Sequence, residues 1–233
     1  MRTSTHKKDA IRRMVMIAMF TAMAYVVMLV IHIKVSFLTL DVKDAVITLC
    51  GLYFGPVSAL IISVLVPLVE MITVSTTGVY GLIMNILGSL SFSVTASVIY
   101  KYKKNMWGAI AGLVSGAVLM TAVMLVANLF ITPLFLKMPR KAIQEMIPTL
   151  LLPFNLLKSA VNVGFVLLIY KSLSKLLRKA HILRKNESSD TSTVRKYGAV
   201  TTVTVTVIAL LLIALSTVLI FTVMGGKFTF GAN

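Results

Sequence analysis

The sequence predicts an all-α integral membrane protein, a six-helix bundle followed by a seventh transmembrane helix. Three observations predict it. Of the 233 residues, 58% are hydrophobic and only 13% charged, at a mean hydropathy of +0.95. The apolar residues fall into seven runs, and the basic residues collect at the ends of those runs. A soluble domain averages about 45–50% apolar and about 25% charged residues, so this chain carries more apolar surface than one aqueous core can hide. Crossing a hydrocarbon layer of roughly 30 Å takes about 20 apolar residues as a helix, which leaves room for six or seven spans and short loops.

The first run, 14–32, follows the basic segment MRTSTHKKDAIRR, residues 1–13. Basic then apolar is also the pattern of a signal peptide, but no small-residue cleavage site follows, so a retained helix is expected. Runs 42–54 and 56–72 are divided by Gly55-Pro56, a pair that punctuates helices. They predict a helical hairpin whose members do not each cross the full bilayer. Runs 79–100, 107–131 and 149–170 complete a membrane domain spanning 14–176. The polar stretch 177–198 reads as a solvated cytoplasmic linker, 199–224 as the seventh span and 225–233 as a short tail. That last span is rich in Thr and Val, which suit a strand in water, but its length and continuity fit a membrane helix.

Lys and Arg are retained on the cytoplasmic side of membranes, so their placement predicts orientation. With the amino terminus inside, sixteen of the 23 basic residues fall on the inner side, in the amino terminus, in Lys101, Lys103 and Lys104, and between Lys171 and Lys196. Six fall outside, Lys34, Lys43, Lys137, Arg140, Lys141 and Lys227, and Lys158 lies within a span. The formal charge of +16 therefore marks membrane topology. It forms no basic stripe on a soluble face, and nucleic-acid binding is excluded on that ground.

Within lipid, polar side chains are costly and hence informative. Lys158 lies a turn or two into the sixth helix, with Asn155 three residues before it and Asn162 four after, all on one face. A charge there costs about 2.5–3.5 kcal/mol unless it is paired or hydrated. Two readings stand: Lys158 snorkels to the outer interface while the asparagines tie helices together, or the stripe faces a ligand or water. Glu70, Asn85 and Asn128 also fall toward the outer ends of their helices, so with Asn155 and Lys158 they are expected to converge on one cavity. Asp41 and Asp44 open the second helix, where capping and the helix dipole account for them. Gly108, Gly112 and Gly116 recur every fourth residue and predict close internal packing; Ala18 and Ala22 form a similar face on the first helix, suited to packing or to a partner subunit. Met14, Met16, Met19, Met23 and Met28 are flexible apolar filling on that helix, or an adaptable partner surface.

Absences narrow the function. The chain has no G-x-x-x-x-G-K-[ST] phosphate loop, no H-E-x-x-H and no acidic cluster suited to a metal. Cys50 is the single cysteine, in an apolar run, and His6, His32 and His181 are scattered near span ends. No acid–base pair or activated nucleophile suggests an enzyme, so any active transport must draw its energy from a partner or an ion gradient. Glu70 alone would serve as an intramembrane carboxylate for proton coupling.

Three segments carry a family resemblance: DVKDAVITLCGLYFGPVSALIISVLV, STTGVYGLIMN and ANLFITPLFLKMPRKAIQEMIPTLLLPFNLLKSAVN. With the basic amino terminus they resemble the substrate-binding S components of energy-coupling factor (ECF) transporters, over about residues 10–175, and most of all the riboflavin-specific branch. The resemblance implies a six-helix vitamin-binding protein in the plasma membrane, its site open to the outside beneath the loop joining the first two helices. A transmembrane coupling protein and two ATPase subunits would energise it, riboflavin would be cargo, and no cofactor is implied. Asn128, Asn155 and Lys158 match polar positions that contact the flavin ring, and Leu40 and Asp41 fall near the lid loop. Asn85 and Glu70 join this candidate site on the convergence argument, and the Ala18/Ala22 face matches the surface that docks on the coupling protein. The seventh helix departs from the family pattern. Competing readings are an S component for folate, a thiamine precursor or pantothenate, an ion-coupled secondary transporter, and a membrane enzyme or structural subunit.

Overall fold

A computed structural model describes residues 2–179, 194–222 and 227–228. Helix α1 (Arg2–Val30) leads into a hairpin of β1 (His32–Val35) and β2 (Leu38–Asp41), then α2 (Lys43–Phe54) and α3 (Pro56–Thr73). Helices α4 (Gly78–Ser89) and α5 (Thr95–Tyr102) are joined without a break by a π-helical turn, Leu90–Val94. Helix α6 (Met106–Leu136) is followed by the short α7 (Arg140–Met146), a second π-helical turn (Ile147–Leu151) and α8 (Leu152–Lys179). Helix α9 (Val194–Thr222) and the two-residue β3 (Lys227–Phe228) complete the described chain. Each of the seven apolar runs thus falls on helix, and the helical membrane architecture expected from the sequence is the one observed, although the described apolar stretch of the expected seventh span, Thr206–Thr222, is shorter than the five below.

Among the described residues, five stretches are long and apolar enough to cross a membrane: Ala10–Val30, Pro56–Thr73, Gly78–Tyr102, Met106–Leu136 and Arg140–Ser174. Helix α2, at 12 residues, rises only about 18 Å and is buried from Lys43 to Leu52, so it is a core element inside the bundle and not a span. Its partner in the expected short hairpin, α3, is long enough to cross. The junction turns at Gly55, whose φ of 94° lies in the region that glycine enters without strain, and Pro56 opens α3 where no N–H is needed.

Packing follows the small residues. A Cβ at Gly112 would stand 2.7 Å from the Ala96 carbonyl oxygen, and one at Gly116 2.6 Å from that of Phe92. Helix α6 therefore lies backbone to backbone on α5 and its π-helical turn, as the four-residue spacing predicts. On α1, Met16, Phe20, Ala24 and Met28 point inward, whereas Met14, Ala18, Met19, Ala22 and Met23 are exposed.

The sequence reading did not anticipate the small sheet. Strands β1 and β2 pair antiparallel, with Ile33 opposite Leu40 and Val35 opposite Leu38, and β3 adds to the other edge of β1. Ile33 and Val35 alternate inward, which is the period-2 signature, but over only four residues. The tail expected at 225–233 is accordingly not wholly free: residues 227–228 belong to this sheet. Most of the expected 177–198 linker and His181 lie outside the described residues.

Candidate functional site

At the hairpin end of the bundle a cavity encloses about 690 Å³ of empty space, counting its open mouth. The hairpin contributes Phe37, Leu38 and Thr39; α3 contributes Glu70; α4 contributes Tyr80 and Asn85; α6 contributes Asn128, Thr132 and Phe135; and α8 contributes Phe154, Asn155 and Lys158. Apolar and aromatic walls with a few placed polar groups are the usual make-up of a small-molecule site. Five residues singled out in the sequence, Glu70, Asn85, Asn128, Asn155 and Lys158, line this one space. Leu40 and Asp41 do not. Leu40 is buried beneath the hairpin with Ile33, Val35 and Phe154, and Asp41 stands behind the wall.

Asp41 has a larger role than helix capping. Its Oδ1 does accept the Lys43 backbone N–H at 3.2 Å, but its Oδ2 pairs with Lys158 Nζ at 3.0 Å and lies 3.7 Å from Lys43 Nζ. Burial by itself would push the Asp41 carboxyl up; Lys158 and then Lys43 outweigh it and hold the group at about 2. Lys158 does not snorkel away: its ammonium also donates to the Thr39 carbonyl at 3.1 Å, tying the hairpin to α8. Lys43, read from sequence as an outer-side charge, is fully buried and donates to Glu70 Oε2 at 2.5 Å. Asn85 Nδ2 donates to the other Glu70 oxygen at 3.0 Å, and Asp44 accepts from Ser89 at 2.5 Å. Lys43 and Lys158 thus form one ion-paired layer with Asp41 and Glu70 beside the cavity, with Asp44 hydrogen-bonded to Ser89 next to it, the pairing that makes buried charge tolerable.

The asparagines divide by role. Asn162 is fully buried: its Oδ1 accepts from the Ala45 backbone at 2.8 Å, and its Nδ2 donates to the Asp41 and Lys158 carbonyls at 3.1 and 3.0 Å. It caps α2 and does not line the cavity. Asn128 donates to the Met124 carbonyl and accepts from the Thr132 hydroxyl, each at 2.7 Å. Asn155 donates to the Leu151 carbonyl at 2.7 Å, a bond that fixes which end of the amide is the donor. Its Oδ1 is then one of two buried side-chain polar atoms without a hydrogen-bond partner among the described residues; the other is Ser63 Oγ. Among the described residues, no three His, Cys, Asp or Glu side chains are grouped as metal ligands. The sequence pointed to the cavity's polar groups but gave no signal for Thr132 or for Tyr80 and Phe135, whose rings stand 6.1 Å apart at its rim.

The family model for the ECF transporter substrate-specific component matches residues 12–174. The chain belongs to that family. This S component is 29% identical over 177 residues to the riboflavin transporter RibU of Staphylococcus aureus (strain TCH60), covering 72% of this chain and 93% of that protein. Its fold is similar to a solved structure of the S component of a bacterial ECF transporter, with a TM-score of 0.61 and 29% identity over 71% of this chain and 97% of that one. The family match ends within α8, so α9 and β3 lie outside it.

Proposed function

We propose that this S component captures riboflavin in the cavity between the hairpin, α4, α6 and α8. The observation that carries the reading is the convergence of Glu70, Asn85, Asn128, Asn155 and Lys158 with Phe37, Tyr80, Phe135 and Phe154 on one cavity, where the buried Asn155 Oδ1 has no hydrogen-bond partner among the described residues. The flavin ring is flat and largely apolar, with N–H and carbonyl groups along one edge. It needs an aromatic slot with an acceptor and donors at one end. Asn155 supplies the acceptor; Lys158 has a third ammonium proton beyond its two bonds, and the lining amides complete the edge. The kinship with the riboflavin transporter of S. aureus supports the same ligand.

Uptake is energised by a separate coupling protein with two ATPase subunits, and the exposed Ala18/Ala22 face of α1 is the surface offered to that coupling protein. The amino terminus lies in the cytoplasm and the cavity mouth faces outward, on the positive-inside argument. Titration of the detergent-purified protein into riboflavin tests the reading. Saturable quenching of flavin emission near one vitamin per chain, with an affinity about tenfold weaker in Asn155→Ala and the fold retained, is expected. A folded sample that leaves the emission unchanged overturns the riboflavin assignment and passes the cavity to another vitamin.

A further inference from the structure

The chain beyond residue 174 lies outside the family match, yet its described elements α9 and β3 pack on α8 and on the hairpin, both of which contribute residues to the cavity wall. Helix α9 packs along α8 so closely that a Cβ at Gly164 would come 2.7 Å from Ile213 Cγ1 and 3.0 Å from the Ala209 carbonyl oxygen. Near its far end, Ile220 is fully buried in the cluster under the hairpin, with Ile33, Val35 and Leu40 above and Phe154 and Val161 from α8 beside it. Strand β3 then pairs antiparallel with β1, Ile33 facing Phe228 and Lys34 facing Lys227. The turn of the same hairpin, Phe37 to Thr39, forms one wall of the cavity.

We propose that α9 and β3 are a positioning element for ligand retention, a clasp that holds the hairpin over the cavity and sets how fast the bound molecule leaves. The proposal rests on that cavity being the ligand site. A two-stranded hairpin alone is marginal in stability, and this one is held at both edges. Lys158 ties the β2 side to α8 through the Thr39 carbonyl and Asp41, and β3 ties the β1 side to α9. Lifting the hairpin must break one of these attachments and draw Ile220 out of its cluster. Such barriers appear mainly in dissociation rates. The clasp leaves Ala18 and Ala22 exposed on α1, so retention and docking on a partner use different surfaces.

Two full-length variants test this, each read by hydrogen exchange of residues 32–41 and by the rate of riboflavin release in a chase. Lys227→Pro with Phe228→Pro removes both backbone donors of β3. Hairpin exchange and riboflavin release should both become several-fold faster with stoichiometry unchanged. Lys34→Cys with Lys227→Cys places two thiols on facing residues, and oxidation should slow both readouts until reductant is added. Unchanged hairpin exchange in both variants overturns the clasp. Altered exchange with unaltered riboflavin release overturns its role in retention. If the wild-type protein takes no riboflavin, the assignment of the vitamin falls separately, and hairpin exchange still decides the clasp.

Discussion

The two ends of the bundle solve opposite problems. At the hairpin end, two lysines, three carboxylates and four asparagines are held beside an open space, and one amide oxygen is left unspent. At the other end Tyr100 and Tyr170 hydroxyls share a hydrogen bond of 2.6 Å, Tyr53 stacks on Tyr170 at 5.7 Å and donates to its carbonyl, and Gly112 and Gly116 bring α6 onto its neighbour's backbone. The same helices are pinned shut below, and above they surround an open space whose props are ion pairs: Lys43–Glu70 joins α2 to α3, and Lys158–Asp41 joins α8 to the hairpin.

Removing a prop should therefore cost the most. Lys158→Ala leaves Asp41 buried beside Lys43 alone and frees the Thr39 carbonyl; breaking a buried pair from one side costs about 3–5 kcal/mol. Thermal unfolding in detergent should show a large fall in Tm together with lost riboflavin binding. Adding Asp41→Asn should recover part of the Tm and none of the affinity, which separates the buried charge from the ligand contact.

The asparagines of α8 sharpen the contrast. Asn162→Ala removes the acceptor for Ala45 N–H and two donated bonds within the core, and should lower stability by about 1–3 kcal/mol. Asn155→Ala deletes an acceptor that has no partner among the described residues and one donated bond to the Leu151 carbonyl, so Tm should fall by less than in Asn162→Ala while riboflavin affinity falls by about tenfold. An equal loss of Tm in both variants with affinity unchanged would mean that Asn155 is a packing residue like Asn162. At the closed end Tyr100→Phe removes one hydroxyl bond to Tyr170 and should cost about 1 kcal/mol in unfolding experiments with affinity unchanged.

How much of this is legible in the sequence depends on what each residue has for neighbours. The seven helices are legible because long apolar runs have few other solutions in lipid. The convergence of Glu70, Asn85, Asn128, Asn155 and Lys158 is legible because polar groups inside spans are rare enough for each one to be informative. Asn155 and Asn162, by contrast, are indistinguishable by type and share a face; only the arrival of α2 against one of them makes it structural. Lys43 and Asp41 sit where a helix begins, a place where solvated charges are common, and nothing local signals that α2 is sunk into the core with both of them. The hairpin stays hidden because its alternation lasts four residues per strand, and its third strand lies almost two hundred positions downstream.

The smallest effect expected is on pH. The Asp41 carboxyl sits at about 2 in the folded protein against 3.8 for the free group, so its folded value is depressed. Its contribution to stability is complete above the unfolded value and is lost only as the pH falls through about 2. The tie from β2 through Asp41 to Lys158 should therefore hold unchanged across the neutral and mildly acidic range. Riboflavin titrations between pH 5 and pH 8 should give a flat affinity. A drop of tenfold within that window would show that the titrating group is not Asp41 and would point to Asp44, whose carboxyl is pushed up by burial and by the neighbouring Asp41, or to His32, half-buried in β1.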